Sequence, residues 1–467
     1  MAIRIKKSKY DLYTLGTRVY SLLLVTEECS WWSDLNENVL GVVTYDVYDQ
    51  DYSWVVLARD ELGCFRAVDL DCSYPSERRA EAMVRTKIED LSRSVKFQGF
   101  VPQYDAQRKP INLLSPIQDI SKANLHPYFL HLIEDPGREP ARRVIREIAP
   151  WLYPADSHFI KEFQCNQFDQ RLWEIYLWAT FRELGYDVAQ HEAPDFECRS
   201  PLAHFTVEAT TIAPSQKGVL ADHPNPKLKE EFNDFLVTYM PMKFGSALCS
   251  KLDKVNAEGL HYWERSHSES KPFIIAIADF HKPGNHQKKE SASITYSQSA
   301  LYIYLYGHRV DWAFEDGKLL INVAPVKEHK YQSKIIPSGF FDLPKAENIS
   351  AVLFSNAGTL AKFDRIGVAA GFGAKNHKYL RIGLKFDPNP NAVVGKSFVT
   401  DVEDDAYKEC WSDEIQIFHN PNAKYPLAPE AFPGVAHHFW KNGKLVTFDY
   451  EERVLSSNTM IIHLTDE

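Results

Sequence analysis

Three carboxylates in this chain of 467 residues, Glu174, Asp195 and Glu208, are of the type and spacing that could share a metal ion. Glu174 lies in Leu172-Trp173-Glu174-Ile175-Tyr176-Leu177-Trp178, a helical run apolar almost all round. A charge buried there needs a counter-charge or a metal ion; the competing reading is a surface Glu on one polar stripe. Asp195 follows Pro194 at the entry to a strand, and Glu208 sits mid-strand between Val207 and Ala209. The thirteen positions from one to the other suffice for a β-hairpin whose carboxylates meet at one end. Converging carboxylates form a hard oxygen site suited to Mg²⁺ or Mn²⁺. Such an ion activates water and offsets charge on a phosphoryl group, which is why phosphodiester hydrolysis needs acids there.

The elements that must position these acids are legible in the periodicity. Phe168 to Leu184 reads as a strongly apolar helix stopped by Gly185. Tyr186 to His191 reads as a strand, Ala193-Pro194-Asp195-Phe196 as a turn into another, and Phe205 to Thr211 as a β-branched strand. Helices are expected over about Lys227 to Val237 and Met240 to Val255. In the second, Phe244, Leu248, Leu252 and Val255 share the core face, while Lys243, Ala247, Lys251 and Lys254 lie together on another. Lys271 to Phe280 holds a continuous apolar run suited to a strand buried on both faces. Helix, three strands, helices and a buried strand make an α/β layer around a central sheet.

Helix Glu, strand Pro-Asp, then strand acid resembles the PD-(D/E)xK nuclease superfamily, the restriction-endonuclease-like fold, over roughly Phe168 to Phe280. The resemblance implies that Glu174 matches the first-helix acid, Asp195 the motif Asp and Glu208 the acid of the E-x-K element. It implies an Mg²⁺-dependent enzyme cleaving nucleic acid, with DNA favoured over RNA. The element here reads Glu208-Ala209-Thr210, so threonine stands at the family's lysine position. Some members supply that lysine from a neighbouring helix. Lys251 is the first candidate for the role and Lys243 the second, with ordinary surface lysines as the competing reading. Cores of this kind, fused to unfamiliar flanks, are similar to bacterial restriction or phage-defence effectors. A homo-oligomer or a defence-system partner protein would fit that setting.

Around the core, Val39 to Tyr48, Ser53 to Arg59 and Cys64 to Asp69 read as an antiparallel meander covered by a helix from Ser76 to Val95. A basic helix, Arg138 to Ile148, carries Arg138, Arg142, Arg143 and Arg146, for phosphate contact or simply a solvated face. Beyond Phe280 come a lysine-bearing loop to Thr295, a helix to Tyr306, and strands at Leu319 to Val323 and Ile349 to Ser355. Asn356, Thr359 and Lys362 form a polar strand-to-helix turn that could hold a phosphate or act as an ordinary cap. From about Leu380 the chain is β-rich. The expected organisation is multidomain α+β and α/β. A β-rich accessory domain spans 1–150, the nuclease-like core with its central mixed sheet flanked by helices and an insertion spans 151–385, and a β-rich extension spans 386–467.

The composition bounds these readings. Hydrophobic residues at 44 % and charged residues at 25 % are those of a globular protein. No signal region follows the basic start and no apolar run is long enough for a membrane helix, so cytoplasmic residence without membrane attachment is expected. Seven cysteines with no C-x-x-C pair argue against a disulfide framework or a structural zinc. A net charge of −10 disfavours wrapping long nucleic acid but not gripping a few phosphates through a local patch and an ion. Gly371-Phe372-Gly373 lacks the spacing of a nucleotide loop, and no P-loop, H-E-x-x-H or G-x-S-x-G is present. His281, after Asp279, could line the cleft; His437 and His438, adjacent on a strand, would face opposite ways rather than pair on a metal. Two alternatives stand beside the nuclease. One is an inactive nuclease-fold protein that binds nucleic acid or acts as a scaffold, and the other an α/β enzyme with its site in Asn356 to Gly373.

Overall fold

Strand-period alternation and continuous apolar runs sort the chain into an antiparallel sheet near its start and one long mixed sheet, with helices between and around them. A computed structural model describes residues 1–93, 111–118, 120–153, 158–214, 229–281, 297–315, 318–389, 395–450 and 453–464. The first part holds β1 (Ala2–Arg4), α1 (Lys7–Thr14), β2 (Thr26–Asp34), β3 (Val39–Asp46), β4 (Tyr52–Arg59), β5 (Phe65–Tyr74) and α2 (Glu77–Arg93). These strands pair in sequence order as a five-stranded antiparallel sheet. Val84 and Ile88 of α2 bury against one face of it, with Val43, Trp54 and Val56. Leu40, Leu57 and Phe65 on the other face join the main core of the molecule, so that core runs across the break expected near residue 150.

Next come α3 (Pro127–Glu134), α4 (Glu139–Ile148), α5 (Phe159–Cys165), α6 (Phe168–Glu183), β6 (Asp187–Gln190), β7 (Phe196–Arg199) and β8 (His204–Ile212). α7 (Lys229–Asp234) runs through a π-helical turn, Phe235–Tyr239, into α8 (Met240–Leu252), followed by β9 (Phe273–Asp279) and α9 (Ser297–Tyr306). Two hairpins follow, β10 (His308–Glu315) with β11 (Lys318–Pro325) and β12 (Glu328–Tyr331) with β13 (Lys334–Pro337). Then come β14 (Ala351–Phe354), α10 (Leu360–Ala369), β15 (His377–Lys385), β16 (Lys396–Asp401), β17 (Gln416–His419), β18 (Ala436–Lys441), β19 (Lys444–Phe448) and β20 (Val454–His463). The lysine-bearing loop expected after His281 lies outside the described residues.

The central sheet has eight strands in the order β19-β18-β17-β14-β9-β8-β7-β6. β8, β9 and β14 run parallel, while β6, β7 and β8 form an antiparallel meander at one edge. β9 is the apolar strand read from the sequence, and all seven of its residues are buried. Phe205, Val207 and Ala209 of β8 pack with Ile274 and Ala276 of β9 on the side of α6. Ile275 and Ile277 pack against Phe244, Leu248 and Leu252 of α8 on the other side. Each such side chain taken from water stabilises by about 1.5–3 kcal/mol, enough to clamp the meander between two helices. Val255, expected on the same face of α8, lies beyond the helix end and is exposed, because the chain leaves the helix at Asp253.

The sheet also crosses the boundary expected near residue 385. β14 is buried throughout and needs a partner on its outer side; Gln416 to His419 of β17 supply it, and β18 and β19 extend the layer. β15, β16 and β20 form a separate three-stranded sheet. The molecule is thus mixed α/β, with one large mixed sheet and several smaller β-sheets. Among the described residues no helix is long and apolar enough to cross a membrane.

Candidate functional site

Hairpin register brings the two sequence-predicted strand acids together. Phe196 of β7 pairs with Val207 of β8, and one step further in that register Asp195 stands opposite Glu208. Side chains opposite one another in a pair point to the same face. Asp195 Oδ2 accepts the backbone N–H of Ala209 at 2.7 Å, which ties the turn to the strand. Glu208 is 4 % exposed; its Oε1 accepts Lys251 Nζ of α8 at 2.6 Å, while its Oε2 is buried with no hydrogen-bond partner. Glu174 of α6 is 6 % exposed and reaches the same place from the other side of the sheet edge. Glu174, Asp195, Glu208 and Lys251 all line one cavity of about 570 Å³, with Gln170 and Thr211 beside them.

Crowding of acids shows in their proton affinities. Burial, reinforced by the charges of Glu208 and Glu174, pushes the Asp195 carboxyl well above the ordinary aspartate range. Burial likewise raises Glu174, against the pull of Arg171 and with a push from Glu208. Both oxygens of Glu174 are engaged: Gln170 donates to Oε1 at 2.9 Å and Arg171 to Oε2 at 2.8 Å. Glu174 is therefore held in a fixed orientation, whereas Glu208 Oε2 has no hydrogen-bond partner.

Lys251 and Lys243 part company. Both lie on one face of α8, two turns apart, and the helix axis decides which meets the acids. Lys251 lands on Glu208, and Lys243 does not line the acid cavity. Burial lowers Lys243 to about 8, countered by the charge of Asp279, which marks its place at the far end of β9. At that end Asp279 Oδ1 accepts both the backbone N–H and Nδ1 of His281, at 2.9 and 2.8 Å. Thr210 faces the α8 side two residues after Glu208, and its hydroxyl cannot replace an ammonium there.

Four neighbours escaped the sequence reading. Gln170 and Arg171 stand one helical turn before Glu174, at the i, i+4 and i, i+3 spacings that could have revealed them. Tyr262 lies against the acids: burial, then the charges of Glu208 and Asp195, push its phenol well above the ordinary range. Arg265 stacks over the Tyr262 ring at 5.3 Å and donates to Ala193 O at 2.6 Å, bracing the turn that carries Asp195. No local pattern marks either residue.

The other sequence candidates are absorbed by the fold. Arg138 is buried against Asp364, Arg142 pairs with Glu139 and Arg143 with Glu37, so those three side chains of the basic helix serve ion pairs. His437 and His438 face opposite ways: His437 Nδ1 meets His419 Nε2 at 2.9 Å, and His438 lies between Thr447 and Gln416. Lys362 is fully buried on Glu409 and the carbonyl of Cys410.

Among the described residues no three His, Cys, Asp or Glu side chains are gathered as a ready metal cage. The donor set nonetheless fits a hard divalent cation, because Glu208 Oε2 is a buried, unsatisfied carboxylate oxygen next to the Asp195 carboxyl. No family model, curated protein or solved structure matches this chain.

Proposed function

We propose that this protein is a metal-dependent nuclease, hydrolysing phosphodiester bonds of nucleic acid, DNA in preference to RNA, on a restriction-endonuclease-like core. One observation carries the reading: Glu174, Asp195, Glu208 and Lys251 line a single cavity, with the lysine 2.6 Å from Glu208 although it comes from a different element. Asp195 and Glu208 would hold Mg²⁺ or Mn²⁺. Bound there, the ion would supply Lewis-acid stabilisation of phosphoryl charge and a more acidic water. Glu174, fixed by Gln170 and Arg171, orients the site from the helix side. Lys251 holds Glu208 in place and presents an ammonium to a phosphate entering the cavity. A restriction or phage-defence role accords with such a core among unfamiliar flanks.

Cleavage of single- and double-stranded DNA and RNA with Mg²⁺, compared between wild type and Asp195→Ala, tests the reading. The variant is expected to lose about a hundredfold or more of the rate. Equal cleavage by both proteins removes the catalytic assignment. A second reading, an inactive nucleic-acid-binding or scaffolding protein on the same core, is favoured by Thr210 at the family's lysine position and by the full engagement of Glu174. It predicts no cation affinity and no effect of Glu208→Gln on nucleic-acid binding.

A further inference from the structure

We infer that the start of α10 is a second anion site, shaped for a phosphoryl group and separate from the acid cavity. β14 ends at Phe354, and the chain turns through Asn356 to Thr359 into this ten-residue helix. The turn is forced close to α6: a Cβ on Gly358 would come within 2.7 Å of the Trp173 ring, so only glycine lets the backbone pass there. The turn opens onto a cavity of about 60 Å³, the size of one small anion, whose walls include Arg138, Thr359, Leu360, Ala361, Arg365 and Asn458.

Two independent observations point to a ligand. The first helical N–H groups, at Leu360 and Ala361, have no acceptor within the helix and lie on the cavity wall, where the helix dipole favours negative charge. The second is Thr359. It is the N-cap residue, 7 % exposed, yet its hydroxyl makes no capping hydrogen bond although it lines the cavity. An ordinary cap would fold that oxygen back onto the helix start. Two guanidiniums, Arg138 and Arg365, line the same space and are 6 and 4 % exposed. Each has a buried carboxylate partner, Asp364 and Glu409 respectively, so the pair is held rigidly in place. The acid on the wall, Glu414, is drawn off by Arg381. Fixed donors around a small, partly closed space select a compact oxyanion over a carboxylate on a bulky carrier.

Titration calorimetry with inorganic phosphate in chloride buffer, together with thermal melts, tests the site. Wild type is expected to bind in the millimolar range or tighter. Thr359→Val should weaken binding by about tenfold, the value of one hydrogen bond to a charged group. Ala361→Asp puts a carboxylate in the first helical turn, where it favours the helix, so it should abolish phosphate binding without lowering the melting temperature. Asp195→Ala should bind phosphate at this site as wild type does, which separates its failure from that of the nuclease reading. Tighter binding of a 5′-phosphorylated oligonucleotide than of its 5′-hydroxyl counterpart, lost in Ala361→Asp, would assign the anion to a nucleic-acid end. Equal binding of the two, with inorganic phosphate still taken up, would assign it to free phosphate. No phosphate binding by wild type at about 10 mM, or unchanged binding by Ala361→Asp, overturns the site.

Discussion

Lys251 and the proposed divalent cation would compete for one carboxylate, the ammonium on Glu208 Oε1 and the ion on its unpartnered Oε2. Its ammonium sits 2.6 Å from Glu208 Oε1, offsetting a carboxylate crowded by two others. Lys251→Met should therefore destabilise the ion-free protein by about 1–3 kcal/mol, moderated because the lysine is 24 % exposed. The same variant should gain more stability from Mg²⁺ or Mn²⁺ than wild type does, since the competing cation is gone. Melts with and without the ion read both effects, and an identical ion response in the two proteins would argue against a shared site. Asp195 adds a pH dependence of definite sign. Its folded carboxyl is raised, first by burial and then by Glu208 and Glu174, so it keeps a proton that the unfolded chain has already lost. Its contribution to ion-free stability falls as pH rises through that window, and cation binding must expel the proton. Stabilisation by the cation should consequently increase with pH, and Asp195→Asn should flatten that increase.

At the scale of elements, the joint between β17 and β18 has a different titration. Burial lowers both His419 and His438 to about 3, with His437 next to the first and Arg453 next to the second. A histidine whose folded value is depressed stays neutral while the unfolded chain takes up protons below about 6.5. Stability from this joint is complete above that pH and is lost as pH falls toward 3. His438→Gln should lose about 2 kcal/mol less than wild type between pH 7 and 5, measured by urea unfolding at each pH. Equal losses would show that the ring is protonated in place. Periodicity reveals α6, β8 and β9 because their burial is local and repetitive, and the Asp195–Glu208 pairing follows from a short hairpin. It does not reveal which of Lys243 and Lys251 meets Glu208, because their spacing along α8 is the same face either way and the crossing of helix over sheet decides. Nor does it reveal Tyr262 and Arg265, whose approach to the acids depends on a loop returning from beyond α8.

The whole molecule is closed by its last eighty residues. β17 fills the open side of β14, and Ile417 and Phe418 are buried in the two cores on either side of the sheet. Glu409, whose side chain is fully buried, meets Lys362, Arg365 and Arg381, all 4 % exposed or less. Those three cations belong to α10 and β15, before residue 385, while their shared acid comes after it. A chain cut at 385 would thus leave a bare sheet edge and three buried positive charges with no carboxylate. Residues 1–385 alone are expected to aggregate or remain unfolded, even though they contain Glu174, Asp195, Glu208 and Lys251. Glu409→Gln in the full chain isolates the charge from the strand: it should cost about 3–5 kcal/mol by chemical denaturation while leaving the sheet edge covered. A soluble 1–385 fragment with a cooperative melt would mean that β14 tolerates an open edge and that the C-terminal strands are an added layer, not a structural member of the core.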